Sequence, residues 1–203
     1  MPFTVVVAGH SYVYHLKQAL LDPLQPSVMP GFNVSGCLTD FVYKRGGTTT
    51  DLMLKLDNIY DMQPDVVVLQ IGGNDFTGNP NQDHVNTPDN IIGLAKQINK
   101  TQCVKAVFIG KLFDRFQNRH YLPTKEHVAQ YNAKVSYINH ALDIQAHSLR
   151  QQNIIVWNHR GRVTLRKQII SNDGTHLNAH GMYKWWRSIR GALLYAQDNI
   201  LNG

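Results

Sequence analysis

Two short segments of this chain carry residue types able to do nucleophilic chemistry. Asp173-Gly174-Thr175-His176 sets an acid and an imidazole three residues apart, and the first strongly apolar run ends in Gly9-His10-Ser11. A carboxylate that orients and charge-stabilises an imidazole lets that imidazole deprotonate a serine hydroxyl. Asp173, His176 and Ser11 therefore supply all three members of a nucleophilic triad, provided the fold brings them together. The reaction would be acyl transfer, with the serine attacking a carbonyl carbon.

Acyl transfer also needs donors for the charge that develops on the carbonyl oxygen, and three segments could provide them. Ser11 stands at the expected start of a helix, where its own N–H and the positive helix end can face an oxyanion; a Gly-x-Ser at that place is equally an ordinary N-cap. Gly47, in Arg45-Gly46-Gly47-Thr48-Thr49, could present an N–H with no side chain in the way. Gly46 could do so in its stead, and a glycine pair is also a common turn. Asn74, in Gly72-Gly73-Asn74-Asp75, has an amide NH2, although the same four residues make a normal tight turn. The Asp173–His176 segment reads too as a loop capping the last helix. Each of these plain readings suffices alone; their joint occurrence favours the chemistry.

The elements that must position these residues follow from the apolar pattern. Phe3–Ala8, Asp65–Ile71, Lys105–Ile109 and Asn153–Trp157 are β-branched or apolar on both faces, which suits buried parallel strands. Leu38–Tyr43 is more polar and suits a sheet edge. Helical segments are expected at about 11–21, 50–61, 87–100, 125–151 and 178–201. The resulting alternation predicts a three-layer α/β/α sandwich around a five-stranded parallel sheet, all of residues 1–203 forming one domain. In such a sheet, ligands bind beyond the carboxyl ends of the strands. Ser11, Gly47, Asn74 and the Asp173–His176 segment all follow strands, so all four project from one edge.

Composition narrows the function classes. The chain has 203 residues, 43% of them hydrophobic, enough for one substantial core. No stretch approaches the roughly 18 to 20 apolar residues of a membrane-spanning helix, and no signal peptide is evident, so a cytoplasmic protein is expected. Two cysteines, Cys37 and Cys103, are too few for a disulfide framework or a zinc cluster and read as reduced structural thiols. The 20 Lys and Arg against 14 Asp and Glu give a net charge of +6. Arg160, Arg162, Arg166 and Lys167 precede the Asp–His segment, and Lys184, Arg187 and Arg190 recur at helical spacing beside Trp185 and Trp186. This surplus is either a solvated basic face or a phosphate or nucleic-acid contact.

The four blocks, in this order and on these connections, resemble the SGNH hydrolases, the GDSL-type esterases and lipases. The Ser, Gly, Asn and His that give that family its name look like Ser11, Gly47, Asn74 and His176, with the family's acid three residues before the His at Asp173. The resemblance runs from about Val5 to Asn178 and implies the flavodoxin-like SGNH fold. It further implies a Ser11–His176–Asp173 triad, an oxyanion hole of the Ser11 and Gly47 N–H groups with the Asn74 amide, and no metal or organic cofactor. One departure is visible: the family usually reads Gly-Asp-Ser-Leu where this chain has Gly9-His10-Ser11-Tyr12. His10 is then either a substitute hydrogen-bonding group or a pH-sensitive neighbour of the site.

Substrate-lining candidates come from the loops at the same edge: Tyr12, Phe76, Phe113 and Phe116. The aromatic segment Lys111–Thr124, which also holds Leu112, Tyr121 and Leu122, is expected to be a lid or acyl-pocket wall, or packing over the sheet edge. Without a long apolar surface segment for docking at a lipid interface, short-chain or acetyl esters are expected over triglycerides. The alternative is a module used mainly to bind RNA or protein, as in similar domains of the first-reading-frame proteins of some LINE retrotransposons; Trp186, Arg187 and Arg190 would then meet phosphates. Oligomeric state is left open.

Overall fold

A computed structural model of the chain describes residues 2–21, 34–77, 84–117, 122–159 and 167–202. Five strands, β1 (Phe3–Gly9), β2 (Cys37–Tyr43), β3 (Val66–Gln70), β4 (Ala106–Gly110) and β5 (Ile154–Trp157), form one sheet in the order β2-β1-β3-β4-β5. Every neighbouring pair is parallel, with Val5 opposite Thr39 on one side and Val66 on the other. The order reverses direction after β1, and the cleft at such a switch point is where open α/β sheets bind ligands.

Strand periodicity divides the core in two. Val5, Val7, Val66, Val68, Ala106 and Phe108 face helices α1 (Ser11–Leu21) and α6 (Ala179–Ala196), whose Val13, Leu16, Trp185 and Ile189 complete one cluster. Val6, Ala8, Val67, Leu69, Val107 and Ile109 point the other way, into a cluster with α2 (Thr49–Met53), α3 (Leu56–Tyr60), α4 (Thr87–Asn99) and α5 (Lys125–Arg150). Each fully buried Val, Leu or Ile contributes about 1.5–3 kcal/mol, so the two layers fix the sheet firmly on both faces. The weaker second strand lies at an edge, as its polar pattern predicts.

Two element boundaries differ from expectation. The helix expected over 50–61 is two short ones, broken where the Lys55 N–H bonds the Leu52 carbonyl in a tight 3.0 Å turn. No residue there has poor helix propensity, so the break is set by packing: Leu52, Leu56 and Ile59 stay buried while Leu54 is left exposed. The last helix ends at Ala196, and Gln197–Leu201 continues as a wider π turn. Among the described residues no helix is long and apolar enough to cross a membrane.

Candidate active site

The first strand delivers the serine. Gly9 ends β1 so close to β3 that a Cβ there would lie 2.1 Å from the Gln70 carbonyl oxygen, so only glycine fits. His10 follows, buried, its N–H bonding the Gln70 carbonyl at 3.3 Å. Ser11 then opens α1, whose first-turn N–H groups have no partners within the helix. The His10 carbonyl accepts from Val13, and its ring Nδ1 accepts the Tyr12 N–H at 3.4 Å. His10 thus takes a capping role through an imidazole acceptor. Burial, with Arg115 and His176 nearby, pushes its pKa down to about 3, so the ring is neutral and Nδ1 is free to accept.

The candidate acid and base come from a small hairpin ahead of α6. Ile170 pairs with Leu177 in an antiparallel bridge, and the Ser171 N–H bonds the His176 carbonyl at 2.8 Å. Asn178 closes the turn by capping α6, its Oδ1 accepting the Gly181 N–H at 3.0 Å. The segment therefore both caps a helix and presents the two side chains. Asp173 Oδ1 accepts from Ser171 Oγ (2.6 Å) and from the Thr175 and His176 N–H groups (2.8 Å each). Its Oδ2 lies 2.6 Å from His176 Nδ1. Partial burial pushes the Asp173 pKa up, but these donors outweigh it and hold the carboxyl well below the usual carboxylate range.

His176 Nε2 meets Ser11 Oγ at 2.8 Å. With Asp173 holding the Nδ1 proton, Nε2 is the acceptor for the serine proton, an arrangement able to generate an alkoxide-like nucleophile. His15, one turn further along α1, sets its ring edge against His176 with centroids 4.6 Å apart.

The loops after β2 and β3 are bonded to each other. Asn74 donates through Nδ2 to the Gly47 carbonyl at 3.1 Å, which leaves its other amide hydrogen for a ligand. Asp75 accepts the Thr49 N–H at 3.1 Å and the Thr49 hydroxyl, tying the loop after β2 to the loop after β3. Burial raises the Asp75 pKa against these bonds. Gly47 lies beside Asn74, but its N–H closes a turn on the Lys44 carbonyl at 2.9 Å, so it could serve an oxyanion only by sharing that hydrogen.

The aromatic side chains expected to line the substrate instead pack into the core. Tyr12 (4% exposed), Phe76 (4%) and Phe113 (7%) are core residues beneath the site. The Tyr12 ring packs on His10, Phe113 and Trp185, and its hydroxyl donates to the Thr175 carbonyl. Phe76 packs on Tyr131. Phe116 is half-buried against the same core, and its N–H bonds the Gly174 carbonyl at 2.6 Å. Leu112 and Leu122 are buried too, so the described part of 111–124 is packing over the sheet edge; Tyr121 lies outside the described residues. Trp186, expected to meet phosphates in the nucleic-acid reading, is likewise buried and stacks on Tyr183. Arg160, Arg162 and Arg166 lie outside the described residues. Beyond β4 and β5 a separate groove of about 460 Å3 is lined by Lys111, Asp114, Asn139, His140 and Asp143. Among the described residues no group of three or more His, Cys, Asp or Glu is arranged to hold a metal ion.

Sequence reasoning missed the residues that hold Asn74. Arg115 donates to Asn74 Oδ1 at 2.8 Å and to the Gly73 carbonyl at 3.1 Å, and the Tyr131 hydroxyl donates to the same carbonyl at 3.0 Å. The one available signal was a charged pair, Asp114-Arg115, set between Leu112-Phe113 and Phe116.

Comparisons with known proteins bear on the fold and the family. A search of curated proteins finds no significant match in sequence. Among solved structures, a GDSL-like lipase from Bacteroides thetaiotaomicron superposes with a TM-score of 0.69 at 16% identity, over 95% of this chain and 88% of that one. A lipase/acylhydrolase from Enterococcus faecalis gives 0.65 at 14% identity, over 98% and 97%. An acetylxylan esterase from Geobacillus stearothermophilus gives 0.59 at 17% identity, over 92% of each. At such identities these likenesses establish the fold. The profile of the GDSL-like lipase/acylhydrolase family matches residues 9–187, and the chain belongs to that family.

Proposed function

We propose that the chain is a serine esterase that hydrolyses short-chain acyl esters through Ser11, His176 and Asp173. The observation that carries this reading is the continuous hydrogen-bonded line Asp173 Oδ2, His176 Nδ1, His176 Nε2, Ser11 Oγ, with steps of 2.6 and 2.8 Å. In the reaction, Ser11 Oγ attacks the ester carbonyl carbon as His176 Nε2 takes its proton. Asp173 stabilises the imidazolium, and the tetrahedral oxyanion is met by the Ser11 N–H and the second Asn74 amide hydrogen. Collapse breaks the bond to the leaving alcohol, which receives the proton from His176. Water, deprotonated by the same imidazole, then attacks the acyl-serine, and the acid and the free serine are released.

Two considerations favour short acyl groups. The aromatics that could have walled a long acyl channel are used in the core, and His15, whose ring meets His176, and Tyr14, whose ring meets His15 with Arg45 over it at 5.0 Å, are polar-tipped. The fold likeness to an acetylxylan esterase makes acetyl esters the first substrates to try. The test is hydrolysis of p-nitrophenyl acetate, butyrate and octanoate by wild type and Ser11→Ala. Acetate should be preferred and the activity should fall to background in the variant. Turnover that survives Ser11→Ala contradicts the mechanism, and a preference for octanoate contradicts the substrate class.

A further inference from the structure

Arg115 is a buried cation, 7% exposed, directly behind the candidate oxyanion donor. Its backbone is fixed to α5 by Asn132, whose Oδ1 accepts the Arg115 N–H at 2.9 Å and whose Nδ2 donates to the Arg115 carbonyl at 3.0 Å. Its guanidinium lies 4.5 Å over the ring of Tyr131 and donates to Asn74 Oδ1 and the Gly73 carbonyl. None of the ion pairs among the described residues includes it. A buried charge that lacks a carboxylate partner is costly; an aromatic face and two carbonyl-type oxygens recover only part of that cost.

The placement has a specific chemical consequence. An arginine only donates, so it settles which way the Asn74 amide faces: oxygen toward Arg115, NH2 toward the Gly47 carbonyl and away from the guanidinium. A cation on the amide oxygen also draws electron density from the amide nitrogen, and hydrogen bonds in such a chain strengthen one another. In a low-dielectric setting the charge is little screened, so it complements an anion forming beyond Asn74 far better than it complements a neutral ester.

We infer that Arg115 is a positioning residue that orients and polarises the Asn74 amide, so that this amide binds the tetrahedral oxyanion more strongly than the ground-state carbonyl. The inference rests on the serine-esterase reading given above. It makes Arg115 act through Asn74, which distinguishes it from a residue that merely holds a loop in place.

The test compares p-nitrophenyl acetate kinetics of the full chain with Arg115→Met, Arg115→Lys, Asn74→Ala and the double variant Asn74→Ala/Arg115→Met. Loss of a whole oxyanion donor costs about 100- to 1000-fold in rate, and weakening one should cost about 10- to 100-fold in kcat with KM nearly unchanged. In the Asn74→Ala background, Arg115→Met should cost little more. Unchanged kcat in Arg115→Met, or losses that multiply in the double variant, overturn the inference. If Arg115→Met fails to fold, Arg115→Lys decides: it keeps the charge, so kcat within about 10-fold of wild type supports the role, and a loss as deep as that of Asn74→Ala overturns it. Labelling of Ser11 by a fluorophosphonate separates the two claims. A wild type that neither turns over ester nor takes the label overturns both, whereas an active, labelled wild type with unaffected Arg115 variants overturns only the role of Arg115.

Discussion

The Tyr12 hydroxyl donates a hydrogen bond to the carbonyl of Thr175, so the residue after the candidate nucleophile holds the residue before the candidate base. Ser11 and His176 come from opposite ends of the chain, and this part-buried bond ties their loops directly. Burial raises the Tyr12 pKa, which keeps the phenol protonated and donating. Tyr12→Phe keeps the ring packing but leaves the Thr175 carbonyl without its donor. It should cost about 1–2 kcal/mol in stability, read by denaturant melting, and lower kcat several-fold as the serine–histidine distance loosens. A variant as stable and as active as wild type would show that the tie is incidental.

Gly174 sets the shape of the acid–base hairpin. Its φ of +70° lies in the left-handed region, and a Cβ there would come within 2.6 Å of the Phe116 and Gln117 carbonyl oxygens. Gly174→Ala should therefore displace the hairpin from the Phe116 segment and cost about 1–3 kcal/mol. The expected result is a lower melting temperature together with a kcat loss, since Asp173 and His176 move with the backbone. A fully active Gly174→Ala protein would mean that the hairpin is held in place by its other bonds.

Asp173 is tied by four donors and is charged in the folded protein. Asp173→Asn keeps the size but presents an amide where His176 needs an acceptor for its Nδ1 proton, so the imidazole turns to the wrong tautomer. By analogy with triads in general the loss should be about 1,000- to 10,000-fold in kcat. Loss below 10-fold would indicate that the pair is structural rather than part of a proton relay.

Two buried histidines predict how stability responds to acid. His10 and His159 are held near pKa 3 by burial, against 6.5 for the ordinary side chain. Between those values the unfolded chain binds protons that the folded one does not, so stability falls as pH drops below about 6.5 and continues to fall toward about 3. Melting temperatures should change little from pH 7.5 to about 6.5 on this account and decline steadily from there to pH 4. His10→Asn, which retains an acceptor for the Tyr12 N–H, should flatten part of that slope; an unchanged slope would show that His10 is not neutral in the folded state.

The fold was legible because the strands are apolar on both faces: Val66–Gln70 and Ala106–Gly110 are wholly buried, and a parallel sheet is the arrangement that buries such runs. Ser11, Asn74, Asp173 and His176 were legible because they sit after strands in a fixed order of chemical types. What could not be read was direction. Tyr12, Phe76 and Phe113 are loop aromatics whose spacing carries no sign of facing substrate or core, and packing drew them inward. Sequence reasoning offered the Gly47 N–H as a donor but could not show that it is already engaged in the turn with Lys44. Arg115 was hidden for the opposite reason, because a charged side chain in a loop reads as exposed until its partners are seen.

The most direct test of the central claim is covalent labelling followed by mass spectrometry. Wild type treated with a fluorophosphonate should gain one adduct, mapped to the peptide containing Ser11, and His176→Ala should label at least about 100-fold more slowly because no base takes the proton. An adduct on any other residue, or equal labelling of wild type and His176→Ala, would contradict the account of Ser11 as a nucleophile activated by His176.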